Sequence, residues 1–152
     1  MSLEQVHARR LDIVDPLLQP LYDYWSGKCG GRAMPSRSDI DPVDLSFMLG
    51  QILLIDVLRA PRRFRVRVHG TELVRRAGYE LTGKTLDALP LPEYRAIAQR
   101  SLTTVVETCA PFHSVRDRVV DGRSFRYEGL VLPLSRNERD VDMLLVGMRY
   151  SE

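Results

Sequence analysis

The string Gly78-Tyr79-Glu80-Leu81-Thr82-Gly83-Lys84-Thr85 has the written order of a phosphate-binding loop, two glycines followed by lysine and threonine. Ile52-Leu53-Leu54-Ile55-Asp56 adds an apolar run ending in a carboxylate, which mimics the magnesium-binding strand of such enzymes. A phosphate loop works where a buried strand enters it and a helix leaves it, because the helix N-terminus holds the phosphate. Here Glu72-Leu73-Val74-Arg75-Arg76-Ala77 precedes it with a helical pattern. Leu86-Asp87-Ala88-Leu89-Pro90-Leu91-Pro92 follows it and cannot form a long uninterrupted helix. Tyr79 and Leu81 suit core packing better than a backbone cradle, and the strand ending at Asp56 comes before the loop, not after it. A nucleotide-hydrolysing enzyme built around residues 78–85 is therefore the lesser alternative.

Metal and nucleophile chemistry have less to work with. Cys29, Cys109, His7, His69 and His113 are scattered without paired ligand spacing. Asp39, Asp41 and Asp44 resemble a calcium loop superficially, but its glycine and closing glutamate are absent and Pro42 intrudes. Asp41 and Asp44 read better as helix-capping groups. No Gly-x-Ser-x-Gly elbow occurs, and the histidines have no nucleophile partner in sequence. The expectation is a protein with no catalytic residues and no metal.

Arginine is the softer signal. Of the 22 basic residues, only Lys28 and Lys84 are lysines. Arg63, Arg65 and Arg67 alternate with Phe64, Val66 and Val68, so the arginines share an outer face if the apolar residues turn inward. Arg116 and Arg118 could join that face, with Asp117 and Glu128 neutralising part of it. Solubility is the ordinary role of such a face. The functional alternative is a receptor for an anionic nucleotide, with Arg65 and Arg67 at its centre.

The elements that would position these groups follow from pattern. The chain has 152 residues, 44% hydrophobic and 28% charged, enough for one domain with a real core. No apolar run approaches the ~20 residues that span a bilayer. The N-terminus lacks the layout of a secretory signal, and two cysteines make no disulfide framework. The expected setting is cytoplasmic, with no membrane or nucleic-acid partner. Apolar spacing predicts helices over 3–14 and 17–26, a short helix from Asp41 to about residue 49, and the best helix over 92–108. Strands are predicted over 52–58, 64–68, 112–120, 124–134 and 141–150, with hairpin links at 59–62, 121–123 and 135–140. Two hairpin-rich groups separated by helices imply an α+β fold, an antiparallel sheet with helices on one face.

This order, with Gly70-Thr71-Glu72-Leu73, Ala77-Gly78-Tyr79-Glu80 and Leu81-Thr82-Gly83-Lys84, resembles a PAS domain over residues 45–150. Tyr24-Trp25, Gly31-Arg32, Pro35-Ser36-Arg37-Ser38-Asp39-Ile40-Asp41-Pro42, Ile55-Asp56-Val57 and Leu132-Pro133-Leu134-Ser135 are similar to a group of small stand-alone bacterial PAS proteins. The resemblance implies a PAS-like domain at 41–152 behind a helical extension and loop at 1–40. It also implies a five-stranded sheet, helices enclosing a small cavity, and a sensory or adaptor role in signalling through a small molecule, a protein partner or both. Tyr79, Leu81, Tyr94, Ile97 and Phe112 come from segments that should border the cavity. Haem is not supported, since the helix over 92–108 has no histidine, and flavin is not supported, since the Asn-Cys-Arg-Phe-like string of photosensors is missing. No kinase, cyclase or DNA-binding segment is seen, so output is expected through non-covalent contacts. The extension carries Leu17, Leu18, Leu21, Tyr22 and Trp25 on one side, and short helices need a surface to bury such a stripe. It could dock on its own sheet or on a partner subunit; Leu11 and Val14 add apolar surface that favours a homodimer.

Lys84→Ala is expected to leave the fold intact and to abolish no nucleoside triphosphate turnover, there being none to lose. Turnover in a radiolabelled assay that disappears in this variant would overturn that reading of the motif.

Overall fold

The structure, a computed structural model, describes residues 11–120 and 122–151. Helix α1 (Leu18–Cys29) is followed by three 3-10 turns, Arg37–Asp39, Pro42–Leu45 and Leu49–Gln51. Strands β1 (Ile52–Leu58) and β2 (Arg63–His69) form a hairpin, after which come α2 (Thr71–Ala77), a 3-10 turn at Leu86–Ala88 and α3 (Pro92–Thr108). Strands β3 (Phe112–Val120), β4 (Arg123–Leu134) and β5 (Met143–Ser151) complete one sheet of order β2-β1-β5-β4-β3, antiparallel throughout.

Local chemistry explains the boundaries. Pro42 sits in the first turn behind Asp41, whose carboxylate accepts the Val43 N–H at 3.0 Å. The segment stops at Leu45 as a 3-10 turn, shorter than the helix to residue 49 that the spacing predicts. Tyr24 holds it from outside, donating to Asp44 at 2.7 Å and accepting from the Asp41 N–H at 3.0 Å. Helix α1 starts where Asp15 Oδ1 accepts the N–H groups of Leu17 and Leu18, and it ends at Gly30, whose φ of 56° is a left-handed cap. The helix predicted over 3–14 lies mostly outside the described residues, and residues 11–14 are not helical.

One irregularity in β2 changes what its side chains do. Leu54 pairs with Val68 and Ile55 pairs with Val66, so Arg67 is an extra, bulged residue. The alternation reverses beyond it. Phe64 and Val66 are buried as expected, but Val68 points outward at 43% exposure and His69 turns inward in its place.

Both faces of the sheet are apolar, and each has its own cover. On the outer face Leu54, Leu130, Leu132, Leu134 and Leu145 are buried, and α1 packs there against β4 and β5. Leu18 and Leu21 are fully buried, and Trp25 donates its indole N–H to the Pro133 carbonyl at 2.9 Å. Glu128 anchors the approach to α1: its carboxylate accepts the N–H of Val14 at 2.9 Å and of Asp15 at 3.1 Å, and it meets His113 Nε2 at 2.8 Å. Arg149 donates to Asp15 at 3.1 Å from the neighbouring strand. Leu21 and Trp25, expected on an interaction surface, are therefore interior residues of this chain, because their stripe buries itself on its own sheet; Leu17 and Tyr22 flank the contact half-buried. The extension assigned to 1–40 and the domain assigned to 41–152 share one core, in which Leu18, Trp25 and Met34 join Leu130, Leu132 and Leu144.

Helix α1 approaches the sheet closely at Gly147. A Cβ there would lie 2.6 Å from Leu21 Cδ2, 2.8 Å from Leu18 Cδ2 and 3.2 Å from Met48 Cε. Gly147→Ala is expected to cost about 1–3 kcal/mol, in the range for overpacked cores, and to shift the fluorescence of Trp25 to the red. Urea titration followed by that fluorescence checks it; unchanged stability and spectrum would mean that α1 is loosely seated.

Candidate functional site

The inner face holds a cavity of about 230 Å³ between the sheet and a roof of α2, the segment 79–89 and α3. Strand register builds its floor in rows. Phe112, Val131, Val146, Leu53 and His69 lie side by side across all five strands. The next row toward the open end of β4 is Ser114, Gly129 and Met148, and the one beyond is Arg116, Tyr127 and Tyr150. The floor thus runs from a mainly apolar row, with His69 at its edge, to a phenolic and cationic one. Gly129 makes room in the middle: a Cβ built there meets only Ser114 Oγ, at 3.6 Å.

The structure places Tyr79, Leu81, Tyr94, Ile97 and Phe112 on the cavity wall. Tyr79 and Leu81 come from the loop after α2, Tyr94 and Ile97 from α3, and Phe112 from the start of β3. Reading the residues missed His69, Ser114, Arg116, Tyr127 and Tyr150, which line it too. Period-two alternation from Phe112 was signal enough to find Ser114 and Arg116. It also corrects the assignment of Arg116 to the outer face, since Arg116 shares the inner one with Phe112. Arg118 has the same parity, but its side chain lies outside the described residues.

The polar end is tightly coupled. The Tyr150 ring lies 5.7 Å from both Phe125 and Tyr127, and the Arg76 guanidinium stacks 4.3 Å from its centre. Burial pushes the Tyr150 phenol up to about 12, with Tyr127 adding to the effect and Arg76 opposing it. Burial likewise raises Tyr79, with Tyr94 contributing. Both phenols stay protonated at neutral pH. Arg116 Nε is closed off from solvent and has no hydrogen-bond partner among the described groups.

The phosphate-loop string has other work. Four of its N–H groups are committed: Gly78 to Val74 O, Leu81 to His69 Nδ1, Gly83 to Val66 O and Lys84 to Leu81 O. Helix α2 precedes it and only a 3-10 turn follows, so no cradle of free N–H groups faces a phosphate. The outer arginines are committed as well. Arg65 and Arg67 both donate to the buried carboxylate of Asp56, at 3.3 and 2.9 Å. Glu128, expected to neutralise that face, serves the α1 approach instead. Neither cysteine lines the cavity: Cys29 ends α1 and Cys109 caps α3, and burial raises both thiols. The residues present do not fit a photosensor flavin, whose chemistry needs a thiol against the ring. Among the described residues no helix is long and apolar enough to cross a membrane.

An antiparallel sheet of order 2-1-5-4-3, with helices roofing a small cavity on one face, defines an α+β module. Residues 14–148 match the PAS domain family, and the chain belongs to it. That match takes in α1 as well as the sheet. No curated protein matches the chain significantly. Among solved structures, a LOV protein of Rhodobacter sphaeroides is 16% identical, with 65% of this chain and 57% of that one covered and a TM-score of 0.49. A domain of an HTR-like protein from Haloarcula marismortui is 16% identical (67% and 99% covered, TM-score 0.46). The PAS domain of Bordetella pertussis BvgS is 18% identical (64% and 72% covered, TM-score 0.43).

His69 is the titratable group on the apolar row. Its Nδ1 accepts the Leu81 N–H at 3.0 Å, and burial lowers its pKa below the ordinary 6.5, with Glu80 opposing. The unfolded chain takes up this proton at higher pH than the folded one. Stability from this group is therefore complete above about 6.5 and falls as pH drops through that value toward the folded pKa. Urea unfolding of wild type and His69→Gln between about pH 8 and about pH 5 is expected to show a shallower loss in the variant. Parallel losses would assign the acid sensitivity elsewhere.

Proposed function

We propose that this chain is a sensory signalling module of the PAS type, which binds a small, mainly apolar molecule in the inner cavity and passes the event to a protein partner without catalysis. The cavity carries this reading: its walls are mainly leucine, isoleucine, valine and aromatic side chains with a few polar groups among them, the usual make-up of a small-molecule site. The committed N–H groups of residues 78–84 argue against phosphate chemistry at Lys84, and the pairing of Arg65 and Arg67 with Asp56 leaves the outer arginines poorly placed as a nucleotide receptor.

Native and denaturing mass spectrometry of the purified full chain tests the proposal. The wild type is expected to carry a small molecule, or to take up 1-octanol, and Gly129→Val, which fills the floor, is expected to do neither. Should both proteins bind nothing while Ile97→Ala merely loses about 2–5 kcal/mol of stability, the cavity is packing space and the reading fails.

A further inference from the structure

Resting on that reading of the cavity, we infer that its ligand is a small monocarboxylic acid, its carboxylate held by Arg116 and its apolar body lying over Gly129 toward Phe112 and Val131. Three observations lead there. The first is Arg116 itself. A guanidinium is always charged and its Nε–H donates only, yet this Nε is enclosed at the cavity wall without an acceptor among the described groups. Nε itself has no open face toward the cavity, so an acceptor there meets the terminal nitrogens of Arg116, which are given no hydrogen bond or ion pair by the described residues.

The second is the absence of a counter-charge. Among the described residues no aspartate or glutamate lines the cavity. Tyr79 and Tyr150, which could have become anions, are held protonated by burial. An anionic head is favoured there, an ammonium is opposed, and an alcohol gains no charge-assisted bond.

The third is size and polarity. An apolar cavity of about 150 Å³ accepts benzene, so 230 Å³ accommodates a ligand of roughly nine or ten non-hydrogen atoms. Beyond the Arg116 row the floor is Gly129, Met148, Phe112 and Val131, and the roof above it includes Leu81 and Leu102. That leaves space for a hydrocarbon chain or single ring, with Ser114, Ser101 and His69 as the scattered neutral polar groups along it.

Octanoate, 1-octanol and octylammonium share one tail and differ in the head, and calorimetry of each with the full chain separates the contributions. Wild type is expected to bind octanoate at least about tenfold more tightly than 1-octanol, with octylammonium weakest, from the worth of a charge-assisted hydrogen bond. Arg116→Gln should lose that advantage while its affinity for 1-octanol stays as it was. Arg116→Lys should keep part of it, which guards against a fold effect; circular dichroism checks both. Equal binding of octanoate and 1-octanol, or octanoate binding untouched by Arg116→Gln, overturns the head-group assignment and leaves the cavity reading standing. Failure of every probe, with Gly129→Val indistinguishable from wild type, removes both.

Discussion

A five-stranded antiparallel sheet with leucines on both faces has to be covered twice, and this chain has few residues with which to do so. Among the described residues the outer cover is built around one twelve-residue helix, with Met48 beside it. Its seat depends on one carboxylate. Glu128 sits in the middle of β4, buried, and spends its oxygens on two consecutive backbone N–H groups and on His113. Those N–H groups belong to the residues that lead into α1, and Asp15, one of the two, caps the helix and is itself held by Arg149. A buried carboxylate is tolerable only with such partners. It fixes where α1 enters, and Gly147 fixes how near the helix comes.

With the outer face closed by tight contact, the inner face can afford to be loose. The roof is made of a seven-residue helix, a loop and α3. The loop is tied at its base to β2, where Val66 exchanges backbone hydrogen bonds with Gly83 and Lys84. Tying the loop there drops Leu81 inward and leaves the space above Gly129 unfilled. The residues that looked like phosphate chemistry are thus the fixed base of a roof loop. Their glycines serve the turn, Gly83 at a φ of 83°, and not a bound anion.

Much of this was legible in the sequence because it depends on local periodicity. The α3 boundaries, Pro92 to Thr108, follow from a proline at the first helical position and apolar spacing behind it. The β1–β2 hairpin and the antiparallel order follow from short links and alternation, and the five cavity residues from which segments face the sheet. The failures have non-local causes. The bulge at Arg67 exchanges the faces of Val68 and His69, and pairing with β1 decides it, not the regular alternation of Phe64 to Val68. The short turn at Pro42–Leu45 is set by Tyr24, seventeen residues from Asp41. Whether the stripe of Leu18, Leu21 and Trp25 would find its own sheet depended on Glu128 and Gly147, more than a hundred residues away, which no pattern within the helix encodes. Arg116 differs from these, because its parity with Phe112 was readable; attention to the outer arginines hid it.

The two faces are not independent, because strand alternation interleaves them. Glu128, which holds the approach to α1, lies between Tyr127 and Gly129 of the cavity floor. Arg149, which holds Asp15, lies between Met148 and Tyr150, and Gly147 lies between Val146 and Met148. A pleated backbone cannot move Tyr127 or Tyr150 without moving the residues on either side. In the proposed reading, a ligand that reorders the Arg116, Tyr127 and Tyr150 row therefore acts on the same backbone that seats α1. The close packing at Gly147 leaves that helix little slack with which to absorb the change. The contacts at risk are a few hydrogen bonds to Glu128 and Asp15, each worth about 1.5–3 kcal/mol at a charged group, and a ligand biases them by the difference in its affinity for the two arrangements of that backbone.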